Sequence, residues 1–191
     1  MTAALTAAGA VQASVRPPGA GDGTHATGIA ADAAPATRGA SALPASIVLD
    51  TNTVLALWMF RDPALQVLRA WIEAGNCILF SREDALEELR HVLAYPQFGL
   101  DEARQVALRT DYLARTTRVA NLQPPAALPS CRDPDDQKFL EIAAAAGAAC
   151  LLTRDKALLR LARHRLARDR FAIMTPERLS QALTEAGQPP A

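Results

Sequence analysis

The sequence predicts an α/β fold of three layers, with a mainly parallel central sheet of about four or five strands covered by helices on both faces. Three observations predict it. Short β-branched or apolar runs alternate with longer segments of helical spacing. Gly, Pro and acidic residues punctuate the boundaries between them. Residues 1–44 hold almost no large apolar side chains and read as a disordered Ala/Gly/Pro/Thr-rich tail, which leaves one domain over 45–185 and a short disordered end over 186–191.

Ser46-Ile47-Val48-Leu49 reads as a buried parallel strand that ends at Asp50. Thr51 to Phe60 has helical spacing. Asp62-Pro63 is an N-cap followed by proline at the first helical position, opening a helix that Gly75-Asn76 stops after Ala74. Cys77 to Phe80 is a second strand. Ser81-Arg82-Glu83-Asp84 resembles a capping box for a helix to about Leu93, and Pro96 bars its continuation. A helix spans about Asp101 to Arg115, and three prolines make Asn121 to Ser130 a loop. Pro134 and Asp135 start a helix that runs to Gly147. Ala149 to Leu152 is a third strand, a helix follows from Lys156, and Phe171 to Met174 is a fourth strand. Thr175-Pro176-Glu177 caps the last helix.

Composition narrows the function classes. Lys+Arg and Asp+Glu both number 20, so no global field draws the chain to nucleic acid, and any such attraction is local. Cys77, Cys131 and Cys150 are too scattered for a metal knot or a disulfide framework, and Cys77 and Cys150 read as small buried apolar residues. No apolar run approaches the roughly 20 residues of a spanning helix, and the first residues lack a secretory pattern, so the expected location is cytoplasmic and away from membranes.

In such sheets ligands sit beyond the carboxyl ends of the strands. Asp50 follows the first strand and Asp155 the third. Glu87 and Glu88 lie in the helix after the second strand, and Asp133, Asp135 and Asp136 crowd the start of the helix before the third. Four segments thus bring carboxylates to one edge. Two like charges about 4 Å apart repel by roughly 4 kcal/mol at an effective dielectric near 20. A divalent cation bound through oxygen, Mg²⁺ or Mn²⁺, removes that conflict. Each acid also fits a plainer role: Asp50 and Asp155 as helix caps, Asp135 and Asp136 as first-turn acids, Glu87 and Glu88 as solvated surface.

Three strings, IVLDTNTVLALW, EELRHVLAYPQF and CRDPDDQKFLEIAAAAGAACLLTRDKALL, together resemble the PIN-domain ribonucleases, and most of all the branch of toxins from toxin–antitoxin systems. The resemblance runs from about Ile47 to Leu179. It implies four acids around one or two Mg²⁺ or Mn²⁺ ions: Asp50 at the end of the first strand, Glu88 heading ELRHVL, Asp136 ahead of Phe139, Leu140 and Ala143, and Asp155 in Thr153-Arg154-Asp155. Asp133 assists, and Asn52 and Thr153 orient the acids or water. The implied reaction is endonucleolytic hydrolysis of RNA leaving 5′-phosphate and 3′-hydroxyl ends. The implied partners are an antitoxin seated in the acidic cleft and a second copy of the chain.

A basic stretch from Arg154, Lys156, Arg160 and Arg163 to Arg165, Arg168 and Arg170 adjoins Asp155 and is placed to track RNA phosphates, with Arg160, His164 and Arg168 on one face of a continuous helix. A solvated helix face explains it equally well. His91 and His164 read as surface residues. Two rival functions stand beside the nuclease. A haloacid-dehalogenase-like phosphatase also places an Asp after its first strand, but this chain has Asn52 where such enzymes carry a second acid. A non-catalytic RNA-binding module of the same fold would lack an intact acid set.

Overall fold

β1 (Ser46–Leu49), β2 (Ile78–Ser81), β3 (Thr116–Arg118), β4 (Cys150–Leu152) and β5 (Ala172–Met174) form one sheet in the order β3-β2-β1-β4-β5, with every neighbouring pair parallel. The structure is a computed structural model that describes residues 43–120 and 127–187. The tail read over 1–44 and the end read over 186–191 lie outside the described residues except at 43–44 and 186–187, and so does most of the proline loop. The strand order grows in both directions from β1. The crevice where β1 and β4 part their connections is the place such sheets hold ligands, and Asp50 and Asp155 sit just past those two strands.

The alternating pleat sorts β1 between two cores. Ile47 and Leu49 face one buried cluster with Leu57, Leu68, Leu86 and Leu152, while Val48 faces the other with Phe139, Leu140, Ile142 and Leu151. Both faces of β1 are therefore dry, which is why it reads as an unbroken apolar run. The helices are α1 (Thr51–Val54), α2 (Gln66–Glu73), α3 (Glu83–Leu93), α4 (Glu102–Arg115), α5 (Gln137–Ala145), α6 (Lys156–Arg160), α7 (Arg165–Arg168) and α8 (Pro176–Glu185). α1, α2, α3, α4 and α8 supply the first cluster, and α5, α6 and α7 the second, giving the expected three layers. No helix among the described residues is long and apolar enough to cross a membrane.

Several local expectations change. The helix expected over Thr51 to Phe60 turns into a π-helix at Leu55–Met59, with Phe60 N–H donating to Leu55 O at 2.8 Å. The four consecutive residues Leu55 to Trp58 are all buried. The segment Thr116–Arg118, given no structure from its sequence, is an edge strand; its polar, mostly exposed residues carry no apolar alternation to announce it. No capping box forms at Ser81. That residue lies inside β2, and Arg82 takes the N-cap position without a side-chain cap bond. Arg82 is instead a buried staple, donating to Asp84 at 2.9 and 2.7 Å and to Glu141 of α5 at 2.8 Å. Residues 134–136 form a turn, so α5 starts at Gln137, and Gly147 ends that segment in the left-handed region at φ 59.

The helix expected to run on from Lys156 breaks twice. α6 ends at Arg160, a 3₁₀ turn spans Leu161–Arg163, and His164 is extended at ψ 130. His164 Nδ1 accepts from Leu166 N–H at 3.3 Å and so caps a new helix, α7. Arg160, His164 and Arg168 therefore do not share one helix face. Asp62 and Thr175 cap as expected, accepting from Ala64 N–H at 3.0 Å and Arg178 N–H at 3.3 Å.

Candidate active site

Asp50 is only 3% exposed, at the junction where β1 hands over to α1. Its Oδ1 accepts from Thr53 N–H at 2.7 Å and its Oδ2 accepts from the Thr153 hydroxyl. The cap reading is thus true of Asp50, but incomplete. A capping carboxylate gains nothing from being buried, and among the described residues no Lys or Arg side chain bonds to it. Burial pushes its carboxyl above the usual range, against the pull of the Thr153 and Thr53 hydrogen bonds. Thr153 is fully buried and relays further, accepting from Asp155 N–H at 2.9 Å. One hydroxyl therefore ties the turn after β1 to the turn after β4.

Asp155 caps α6 with Oδ1, accepting from Ala157 N–H at 2.6 Å and Leu158 N–H at 3.0 Å. Its Oδ2 has no hydrogen bond among the described residues. Asp136 stands at the start of α5 without a side-chain cap bond. Burial pushes its carboxyl up to about 6, and the charges of Asp155, Asp133, Asp50 and Glu88 push it the same way. Asp136 thus senses every other acid assigned to the site. Asp133 is exposed and accepts from Asp135 N–H at 3.0 Å, shaping the turn that leads into Asp136.

Glu88 is drawn toward the site by a residue that the sequence did not single out. Lys138, in the first turn of α5, makes a salt bridge to Glu88 across the α3–α5 contact, with only 18% of its side chain exposed. Glu87 turns away to Arg90 and His91 on the outer side of α3. Asn52 is exposed and makes no side-chain hydrogen bond among the described residues; Thr53 takes the orienting position beside Asp50. Tyr112 of α4 is buried close enough for Asp50 to help push its hydroxyl up, after burial itself. Neither Lys138 nor Tyr112 carries a spacing signal, since each reaches the site from an element whose placement only the fold defines.

The donor set fits a hard divalent cation. It consists of carboxylates and hydroxyls, with no imidazole. The nearby Cys131 thiol is held in its protonated form by burial and by Asp136 and Asp155. No group of three His, Cys, Asp or Glu among the described residues stands ready to hold an ion. A hollow of about 410 Å³ is lined by Arg132, Asp133, Pro134, Asp155 and Ala157.

The raised Asp136 carboxyl makes a stability prediction. A carboxyl with a folded pKa of about 6, above its ordinary 3.8, binds its proton more tightly when folded. Its contribution is fully present below about pH 4 and is lost as pH rises through about 6. At 1.36 kcal/mol per unit, discounted for its partial exposure, the ionised group costs about 1 kcal/mol. Urea melts in chelator should show Asp136→Asn more stable than wild type by about that amount near neutral pH, with no gain near pH 4. An equal gain at both would assign the effect to something other than charge.

Of the basic residues expected to track RNA, Arg154 is committed elsewhere. It bonds Asp62 at 2.6 Å and Glu177 at 2.6 Å, clamping the turn after β4 to the entries of α2 and α8. Lys156, Arg160 and Arg163 remain together and line a shallow hollow of about 520 Å³ with Leu159 and Ala162.

Comparison with curated proteins gives no match. The family model described as PIN domain, a family generally of metal-dependent nucleases, matches residues 46–157. That span begins at β1 and ends just past Asp155, taking in all four acids and more than half of the chain, which therefore belongs to the PIN-domain family.

Proposed function

We propose that the protein is a Mg²⁺- or Mn²⁺-dependent endoribonuclease and the toxin component of a toxin–antitoxin pair. The observation that carries the reading is the gathering of carboxylates past β1 and β4, where the Thr153 hydroxyl joins Asp50 to the Asp155 backbone and the charges of Asp155, Asp133, Asp50 and Glu88 all raise the Asp136 carboxyl. A fold gains no stability from such a gathering, so a cation is its natural complement. Asp50, Asp136 and Asp155 would hold the ion directly, with Glu88 as direct or water-mediated ligand. When bound, the ion supplies Lewis acidity, making water a usable nucleophile near neutral pH and drawing charge from a phosphoryl oxygen. Thr153 fixes the Asp50 carboxylate, and Thr53 N–H fixes its other oxygen. Lys138 keeps Glu88 turned inward across the α3–α5 contact. Lys156, Arg160 and Arg163 offer phosphate contacts beside Asp155. Nothing in this arrangement needs a histidine, which fits the exposed positions of His91 and His164.

The absence of a ready three-acid group among the described residues, with Glu88 tied to Lys138, favours a second reading: a non-catalytic RNA-binding module. Purified protein with Mn²⁺ and a mixed RNA pool separates the two. Chelator-sensitive internal cleavage leaving 5′-phosphate ends supports the nuclease. RNA binding without cleavage, and no heat of Mn²⁺ binding in a titration, would decide for the module. A cognate antitoxin and a homodimer belong to the same proposal. Growth arrest on expression, relieved by a small protein encoded alongside, tests the toxin role.

A further inference from the structure

A cleft of about 520 Å³ opens between the end of the π-helix, α2 and α4, and none of the four acids lines it. Its walls carry Arg61, Arg69, Arg104 and Arg115 against two acids, Glu73 and Asp111. Both acids are engaged: Glu73 accepts from Trp58 Nε1 at 3.0 Å, and Asp111 pairs with Arg115. Arg61, Arg69 and Arg104 have no side-chain hydrogen bond or ion pair among the described residues. Arg61 also sits at φ 50, in the left-handed region that a residue with a Cβ seldom adopts. Next to Arg61 lies an exposed aromatic group. Phe60 is 61% exposed and meets Phe98 edge-on at 5.9 Å, and Tyr95, 46% exposed, stacks on Phe98 at 6.5 Å.

Four arginines outnumber the two engaged acids in these walls, so the cleft carries a net positive field that draws anions, and guanidinium forks match phosphate oxygens. Exposed rings beside such a cleft give bases a surface on which to stack. The chain's charges balance as a whole, so this patch is a local excess and not a share of a basic surface. We propose that the arginine cleft and the Phe60–Tyr95–Phe98 cluster form a second, non-catalytic surface for single-stranded RNA, phosphates on the arginines and bases on the rings. The proposal rests on the ribonuclease reading for the identity of its ligand, but its binding does not depend on the carboxylates.

The test is binding of a fluorescent oligouridine of about 20 nucleotides to the full chain in chelator, followed by anisotropy across a salt series. The triple variant Arg61→Glu/Arg69→Glu/Arg104→Glu should bind at least about tenfold more weakly. Its slope of log affinity against log salt should be shallower by about 2, since each phosphate neutralised on a single strand adds about 0.7. Phe60→Ala should weaken binding severalfold and leave the slope unchanged. If the triple variant does not fold, Arg104→Gln on the exposed side of α4 should lower the slope by about 0.7. Unchanged affinity and slope in these variants would overturn the proposal. So would a wild-type protein that binds labelled polyglutamate and no RNA, which would assign the cleft to an acidic protein segment. Chelator removes cleavage from the readout, so a protein that binds RNA here but never cuts it leaves this proposal standing while the nuclease reading falls.

Discussion

Asp50→Asn is expected to lower metal-dependent RNA hydrolysis by at least about 100-fold, the scale for losing one preorganised electrostatic group from a dry site. The substitution is close to isosteric. Its amide oxygen can still accept from Thr53 N–H, and its amide nitrogen can donate to the Thr153 hydroxyl, which already accepts from Asp155 N–H. What disappears is a buried negative charge that no Lys or Arg side chain among the described residues pairs with. The metal-free variant should therefore melt no lower than wild type, since burial already holds the Asp50 carboxyl toward its neutral form. Initial cleavage rates with Mn²⁺, paired with thermal melts in chelator, separate the two effects. Undiminished cleavage would remove Asp50 from the site, and a collapsed melting point would return it to a purely structural cap.

Phe139→Ala is expected to cost about 3–5 kcal/mol of stability, the range for removing a fully buried aromatic ring. Phe139 is 1% exposed and packs α5 on the face of the sheet that also holds Val48 and Leu151. Its backbone N–H donates to Asp136 O at 3.1 Å, and the Lys138 ammonium lies 5.7 Å from its ring centroid. The ring therefore anchors the turn of helix that presents both the Asp136 carboxylate and the Glu88 partner. Activity should fall by more than the loss of folded protein accounts for. Urea melts give the stability change, and cleavage rates at matched folded fraction give the remainder. A loss below about 1 kcal/mol would mean that the core refills the space, and α5 would then not depend on this residue.

The sheet and the first acid were legible because their signals are local. An apolar run ending at Asp50 is read from five residues, and the six from Cys150 to Asp155 give a similar local signal. Asp136 was legible only through the resemblance, because acids near a helix start are ordinary and its distinguishing property arises from groups on three other segments. Lys138 was missed for the complementary reason: a lone lysine on an amphipathic helix looks like solvated surface until α3 is laid across it. The break at His164 escaped because its cap is a histidine nitrogen, outside the usual Ser, Thr, Asp and Asn set. β3 escaped because an edge strand three residues long needs no apolar alternation. Pairing partners far along the chain decided Lys138 and β3, whereas the His164 break is local.

The hydroxyl of Thr153 reaches back 103 residues to Asp50. β1, which delivers Asp50, gains its second neighbour only when β4 arrives. During synthesis from the N-terminus, the carboxylates therefore stay apart until the chain past Asp155 has emerged from the ribosome. An incomplete chain lacks the assembled cluster, so on the proposed ribonuclease reading a truncated translation product would not cut the messenger that encodes it.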